Sequence, residues 1–181
     1  MIRLYIFVIN NELQSRMDLK ININDEELKA AATSGNDAFL RVFTDEYRKF
    51  LETDELQSLN AWQYFLLEFA IFRDEMDEGG FLQLIQNGYG PYIFKNPFAK
   101  YMRLMGAVDL SKLIYKARDF YDAHQKELEE ECTEDEFIAK YERYDELNDL
   151  DDLFIEDEDK YVSQLAHYVD EHISDFTNKQ K

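Results

Sequence analysis

The chain is poor in turn-formers and cysteine: two prolines, six glycines and one cysteine among 181 residues. All-β folds need many tight turns, which draw on glycine and proline, so their scarcity points away from a sandwich or barrel. The lone Cys132 excludes an internal disulfide framework and fits a reducing compartment. No long apolar run exists either. The most apolar internal stretch, residues 61–72, is short and interrupted by Gln63 and Glu68, so it does not suit a bilayer span. The opening MIRLYIFVIN holds one arginine and a short apolar run at residues 4–9, without a small-residue cleavage site. No signal peptide is expected, and the cytoplasm is the expected compartment.

Positive charge is scarce as well. Twenty Lys and Arg face 39 Asp and Glu, a net charge of −19. Nucleic acid and anionic membrane surfaces would be repelled, which excludes them as direct partners. A basic protein, a polyamine or a hard cation is permitted. What the chain does have is aromatic side chains, 14 Phe and 12 Tyr. Disordered acidic chains lack these, so this one is expected to fold.

Helical periodicity runs through most of the sequence, and the expected fold is all-α. It is read as one multi-helix, orthogonal bundle-like domain over residues 1–181, with residues 1–23 a leader or short strand, 24–176 a helical core and 177–181 a tail. The β-branched and aromatic run at residues 2–9 would be that strand. Asn24, with Glu27 three residues on, is an N-cap signal for a helix ending near Gly35. Phe39, Phe43, Tyr47 and Phe50 then recur at helical spacing. Residues 59–76 are apolar nearly all round, as in a central helix, and Gly79 and Gly80 stop them. A short helix over 81–86 and a loop at NGYGP (residues 87–91) follow. Phe98, Tyr101, Met102 and Met105 mark the next helix, and Leu110, Leu113, Ile114, Ala117 and Tyr121 another, running toward Glu131. Thr133 and Glu136 form a capping box. ELNDLDDLFIEDEDK (residues 146–160) reads as an acidic connection to a last helix through Phe176.

The charge is a patch. Residues 127–160 hold 17 acidic and three basic side chains, against 19 and 15 in residues 1–126. One reading is a solvated face that keeps the protein soluble. The other is a docking surface for something positive, since clustered like charges repel and scattered ones would serve solubility equally well. Leu147, Leu150, Leu153 and Phe154 between the carboxylates imply packing on the core, which would hold those carboxylates in place. At helical spacing neighbours lie roughly 5–6 Å apart, comparable to successive phosphates along a nucleic-acid strand. By charge density, Glu129, Glu130, Glu131, Asp149, Asp151, Asp152, Asp157 and Asp159 are the candidate partner-binding residues.

Catalytic and cofactor motifs are missing. A calcium loop started at Asp149 fails at Leu153 and Phe154, and one started at Asp145 fails at Leu147. His167 and His172, five apart, do not share a helix face as a zinc pair would. His172 falls on an apolar stripe with Val169 and Phe176. Cys132 lies among Glu131 and Glu134, a negative surrounding that disfavours a thiolate nucleophile. The DEGGF glycines lack a P-loop Lys and Ser/Thr. No catalytic residue, metal ligand or cofactor is assigned.

Four segments in order carry a resemblance: EGGFLQLIQNGYG (residues 78–90), MGAVDLSKLIYKA (105–117), FIAKYERYDELNDLDDLF (137–154) and YVSQLAHYVDEHISDF (161–176). Together they resemble the bacterial DNA-mimic-like family, whose signature is an NGGF-type turn, an IGA-type helix end, a Leu-Asp-x-x-Asp acidic stretch and a final helix ending in Phe. The resemblance covers about residues 58–176. Glu78 stands where the family usually has Asn, and the apolar leader before Asn24 is outside its pattern. It implies an all-helical, non-catalytic domain. In one characterised member it implies a negative surface that imitates duplex DNA and fills the DNA-binding site of a transcriptional regulator. The expected function is therefore an acidic module that binds a basic protein surface such as a DNA-binding regulator. The alternative is a cytoplasmic immunity-type inhibitor of a basic toxin or nuclease. A homodimer is left open.

Overall fold

The computed structural model describes residues 21, 23–51, 53 and 55–177. The strand expected at residues 2–9, most of the leader and most of the tail lie outside the described residues. Among the described residues the fold is all-α, with no strand.

Helix α1 (Asp25–Ser34) opens at Asn24, whose side chain accepts from the Glu26 N–H at 2.8 Å, and closes at Gly35. Helix α2 (Asn36–Arg48) buries Phe39, Leu40, Phe43 and Tyr47 on one side. Phe50 falls in the turn beyond it. Segment α3 (Ala61–Gln86) holds the two helices expected over 59–76 and 81–86, and the helical path stops where expected, at Gly79 and Gly80, whose φ and ψ leave the helical region before it resumes at Phe81. Its first arm starts at Asn60, whose Oδ1 accepts from Trp62 N (2.9 Å) and Gln63 N (3.1 Å) while Gln63 Oε1 accepts from Asn60 N (3.0 Å). Asn60 also donates through Nδ2 to the Asp175 carbonyl at 2.7 Å. Replacing Asn60 by Ala removes both a cap and a tie to the far end of the chain. The expected loss is about 1–2 kcal/mol in urea unfolding, and Asn60→Asp should recover the cap portion.

The NGYGP loop is shorter than expected. Gly90 and Pro91 already belong to α4 (Gly90–Phe94), because proline's fixed φ and missing N–H suit the first helical turn. Helices α5 (Phe98–Leu104) and α6 (Val108–Leu128) follow, α6 stopping three residues short of Glu131. Helix α7 (Glu134–Arg143) opens on the capping box of Thr133 and Glu136. The acidic connection at residues 146–160 is not a connection. It forms the first half of α8 (Asp145–Glu171), which continues into the helix read beyond it. Like-charge repulsion along α8 is a few tenths of a kcal/mol per pair. Burial of Leu147, Leu150, Phe154, Tyr161, Val162 and Leu165 outweighs it, at roughly 1.5–3 kcal/mol per large side chain. Helix α9 (Ile173–Phe176) is a single turn.

Helix α8 packs along α2, α3 and α6, and α5 packs on α6. The core between them is rich in rings: Phe43, Phe72, Phe81, Phe94, Phe98, Phe154 and Phe176 are fully buried. Tyr47 in α2 donates its hydroxyl to the Phe176 carbonyl at 2.6 Å, closing the core at α9.

Candidate functional site

The acidic half of α8 sorts its carboxylates by side. At 100° per residue, Asp145, Asp149, Asp152, Glu156 and Asp159 recur at steps of four, three, four and three, and so line one edge of the helix. All five are exposed. Among the described residues none of them is in an ion pair. With 1.5 Å of rise per residue the line is about 21 Å long. Leu153 (45% exposed) and Ile155 (61% exposed) flank it on either side. The expectation that Leu153 packs inward with Leu147 and Leu150 fails, because its phase on the helix puts it outside.

Of the other carboxylates of this half of α8, Glu146 is exposed beside the row, and the remaining three are neutralised or buried. Glu158 pairs with Arg73 of α3, which also holds Asp37 of α2. Asp157 pairs with Lys160 at 2.8 Å, and Lys160 reaches Asp109 of α6 at 3.1 Å. Asp151 is only 6% exposed. Its Oδ1 accepts from the Phe81 N–H at 2.9 Å. Burial pushes its carboxyl up to about 7, with Asp152 adding to the rise and the Phe81 hydrogen bond opposing it. Asp151 therefore faces the core, away from any surface a partner touches.

Of the eight candidates, Asp149, Asp152 and Asp159 thus share one edge. Glu129, Glu130 and Glu131 sit on a different element, the turn between α6 and α7. There Glu129 accepts from the Tyr121 hydroxyl, and the Glu130 carbonyl accepts from Lys140 Nζ at 2.9 Å. Lys140 and Arg143 share a hollow of about 300 Å³ with Glu130, Glu131 and Glu136, so the field at this turn is mixed. Charge density alone overlooked Asp145 and Glu156. The four-three repeat that places them was present in the sequence and becomes legible once residues 145–159 are read as helix.

Cys132 donates to Gln86 Oε1 at 3.2 Å. His172 stacks on Tyr168 with ring centroids 4.1 Å apart, as a residue at the core boundary. Among the described residues, no group of three or more His, Cys, Asp and Glu is placed to hold a metal ion. None of the described helices is long and apolar enough to cross a membrane. What the α8 edge offers is a straight row of fixed anions, one per about 5 Å, against one phosphate per roughly 3.4 Å of axis along a DNA strand.

Comparison with known proteins agrees with the resemblance read from the motifs. The DNA mimic protein DMP19 of Neisseria meningitidis serogroup B (strain ATCC BAA-335 / MC58) is 38% identical over 76 residues. The match takes in 42% of this chain and spans about half, 46%, of the length of that curated relative. The family model described as DMP19-like protein matches residues 57–172, which run from just ahead of α3 to the end of α8. The chain belongs to the DMP19-like protein family.

Proposed function

We propose that this protein works in the cytoplasm without catalysis, as a DNA mimic that occupies the nucleic-acid site of a basic DNA-binding protein. The observation that supports this reading most is the row Asp145, Asp149, Asp152, Glu156 and Asp159, exposed, unpaired among the described residues and held straight by a helix packed on three others. A protein site built for a phosphate backbone presents Lys and Arg at intervals, and a rigid row of carboxylates meets them without ordering a flexible chain first. The name of the Neisseria relative, a DNA mimic protein, points the same way. Opposite charge would steer the encounter, making association fast and dependent on salt. A second copy of this chain would be repelled across the same edge, so the partner is cationic.

Affinity capture from the native lysate at low salt, with salt elution and identification, supplies the partner. Its complex is then challenged with duplex DNA and with the variant Asp145→Asn, Asp149→Asn, Asp152→Asn, Glu156→Gln, Asp159→Asn. DNA should displace the protein. The five amides should weaken binding on the order of 100-fold, at about 0.5 kcal/mol per exposed charge. A partner that does not bind nucleic acid sinks the mimic reading, and undiminished affinity of the variant removes the α8 edge from it.

A further inference from the structure

Helix α3 is broken where α8 meets it. Gly79 (φ 176°, ψ 24°) and Gly80 (φ 71°, ψ −163°) leave the helical region, and the chain resumes its helix at Phe81. A resumed helix has the problem of any helix start: its first N–H groups lack a carbonyl one turn back. At α1, α3 and α7 the residue just before the helix solves this, through Asn24, Asn60 and Thr133. At the break that residue is Gly80, which has no side chain. The acceptor comes instead from 70 residues along the sequence, as the Phe81 N–H donates to Asp151 Oδ1 at 2.9 Å. The glycine is matched to its visitor. A Cβ built on Gly80 would lie 2.2 Å from Asp151 Oδ2, closer than any real contact, and its φ of +71° strains other residues.

We propose that Asp151 is the N-cap of the second arm of α3, supplied from α8 of the same chain, and that this contact fixes which side of α8 faces inward. The capping half stands on geometry alone; its consequence for the outward row of carboxylates rests on the function proposed above. A break that exposes an N–H, a residue without a side chain beside it and a buried carboxyl aimed into the gap are three features with one joint explanation. A hydrophobic residue at 151 would fill the space but leave the Phe81 N–H buried without a partner, and a carboxyl at a helix N-terminus also meets the positive end of the helix dipole. Asp151 is thus a positioning residue: it acts on the surface through α3, without touching whatever the surface binds. A single directional contact between two helices selects one azimuth of α8 where apolar packing alone tolerates several.

The test uses the full chain with Asp151→Asn, Asp151→Leu and Asp151→Ala, reading amide hydrogen exchange at Phe81 under conditions where circular dichroism shows each variant folded. Asn keeps the acceptor and loses the charge, so Phe81 protection should stay within about threefold of the parent. Leu keeps the volume and loses the acceptor, so protection should fall tenfold or more, as in Ala. Should the Leu variant fail to fold, Asn against Ala decides. Protection retained in Leu makes the contact one of volume and overturns the cap. Protection lost in Asn as fully as in Ala makes it one of charge and does the same. Because no partner is present in this measurement, its outcome is independent of whether the five-amide variant weakens capture.

Discussion

Phe72→Ala is expected to destabilise the protein by about 3–5 kcal/mol and lower its melting temperature by roughly 10 °C. The ring is fully buried in the first arm of α3. Its neighbours come from three other segments: Phe81 beyond the kink at 5.8 Å, Phe98 of α5 at 5.5 Å and Phe154 of α8, edge-on, at 5.3 Å between centroids. Truncation removes the transfer free energy of the ring and leaves a cavity walled by three rings that cannot all move in at once, because each is packed on its own helix. It also deletes ring pairs that contribute beyond their area. Urea unfolding should show a lower midpoint at unchanged slope. Ile155→Ala, at an exposed position on α8, is the control and should change stability by less than about 0.5 kcal/mol. A loss below about 1 kcal/mol for Phe72→Ala would mean that this ring junction does not hold α3, α5 and α8 together.

The second large effect is a fall in stability as the pH rises from about 4 to about 7. Burial pushes the Asp151 carboxyl from 3.8 up to about 7, so between those values the folded chain binds a proton that the unfolded chain has released. Stability then falls with pH across that window, by up to about 4 kcal/mol in total at roughly 1.4 kcal/mol for each tenfold change in proton concentration. Glu68 acts with the same sign. It is buried, and desolvation holds its carboxyl well above the usual range despite the hydrogen bond from Asn96 Nδ2 at 2.6 Å. Its Oε2 has no hydrogen-bond partner among the described residues, which favours a protonated, neutral group. Asp37 runs the other way. Burial raises it, but Arg73 and Arg41 outweigh burial and hold it below the ordinary value, as Lys95 and Arg118 do for Asp122. Their contribution is present above about pH 4 and is lost as the pH drops through their lowered values. The stability maximum should therefore lie in mildly acidic solution. Asp151→Asn should flatten the slope between about pH 4 and 7, and a slope unchanged in that variant would mean the carboxyl ionises as freely in the folded chain as in the unfolded one.

The fold was largely legible because its signals are local. The Thr133 capping box, the aromatic spacing of α2 and the apolar repeat of α6 each state their structure within one or two turns of chain. Two segments misled. Pro91 and Gly90 suggest a loop by composition, yet proline is at home in a first helical turn, and only the neighbours decide. Residues 146–160 look like a linker because so many carboxylates disfavour helix, whereas burial of Leu147, Leu150 and Phe154 is a tertiary gain that no local preference contains. The site was legible in part for the same reason. Density picked out Asp149, Asp152 and Asp159, which are exposed, and it also picked Asp151, which differs from them only in phase. That phase matters because α3 supplies a glycine and a bare N–H at the matching place, and nothing near residue 151 in the sequence announces either. The inward Glu158 and the outward Leu153 follow from the same rotation.

The tie between Tyr47 and the Phe176 carbonyl joins residues 129 apart. Phe176 is itself fully buried, with its ring 6.3 Å from that of Phe43. Helix α2 also packs on α3 and α8, so α9 covers one end of a core that those helices already frame. Displacing α9 would leave the Tyr47 hydroxyl without its acceptor and uncover the Phe43 ring, so a single turn of helix acts as the seal on that end of the core.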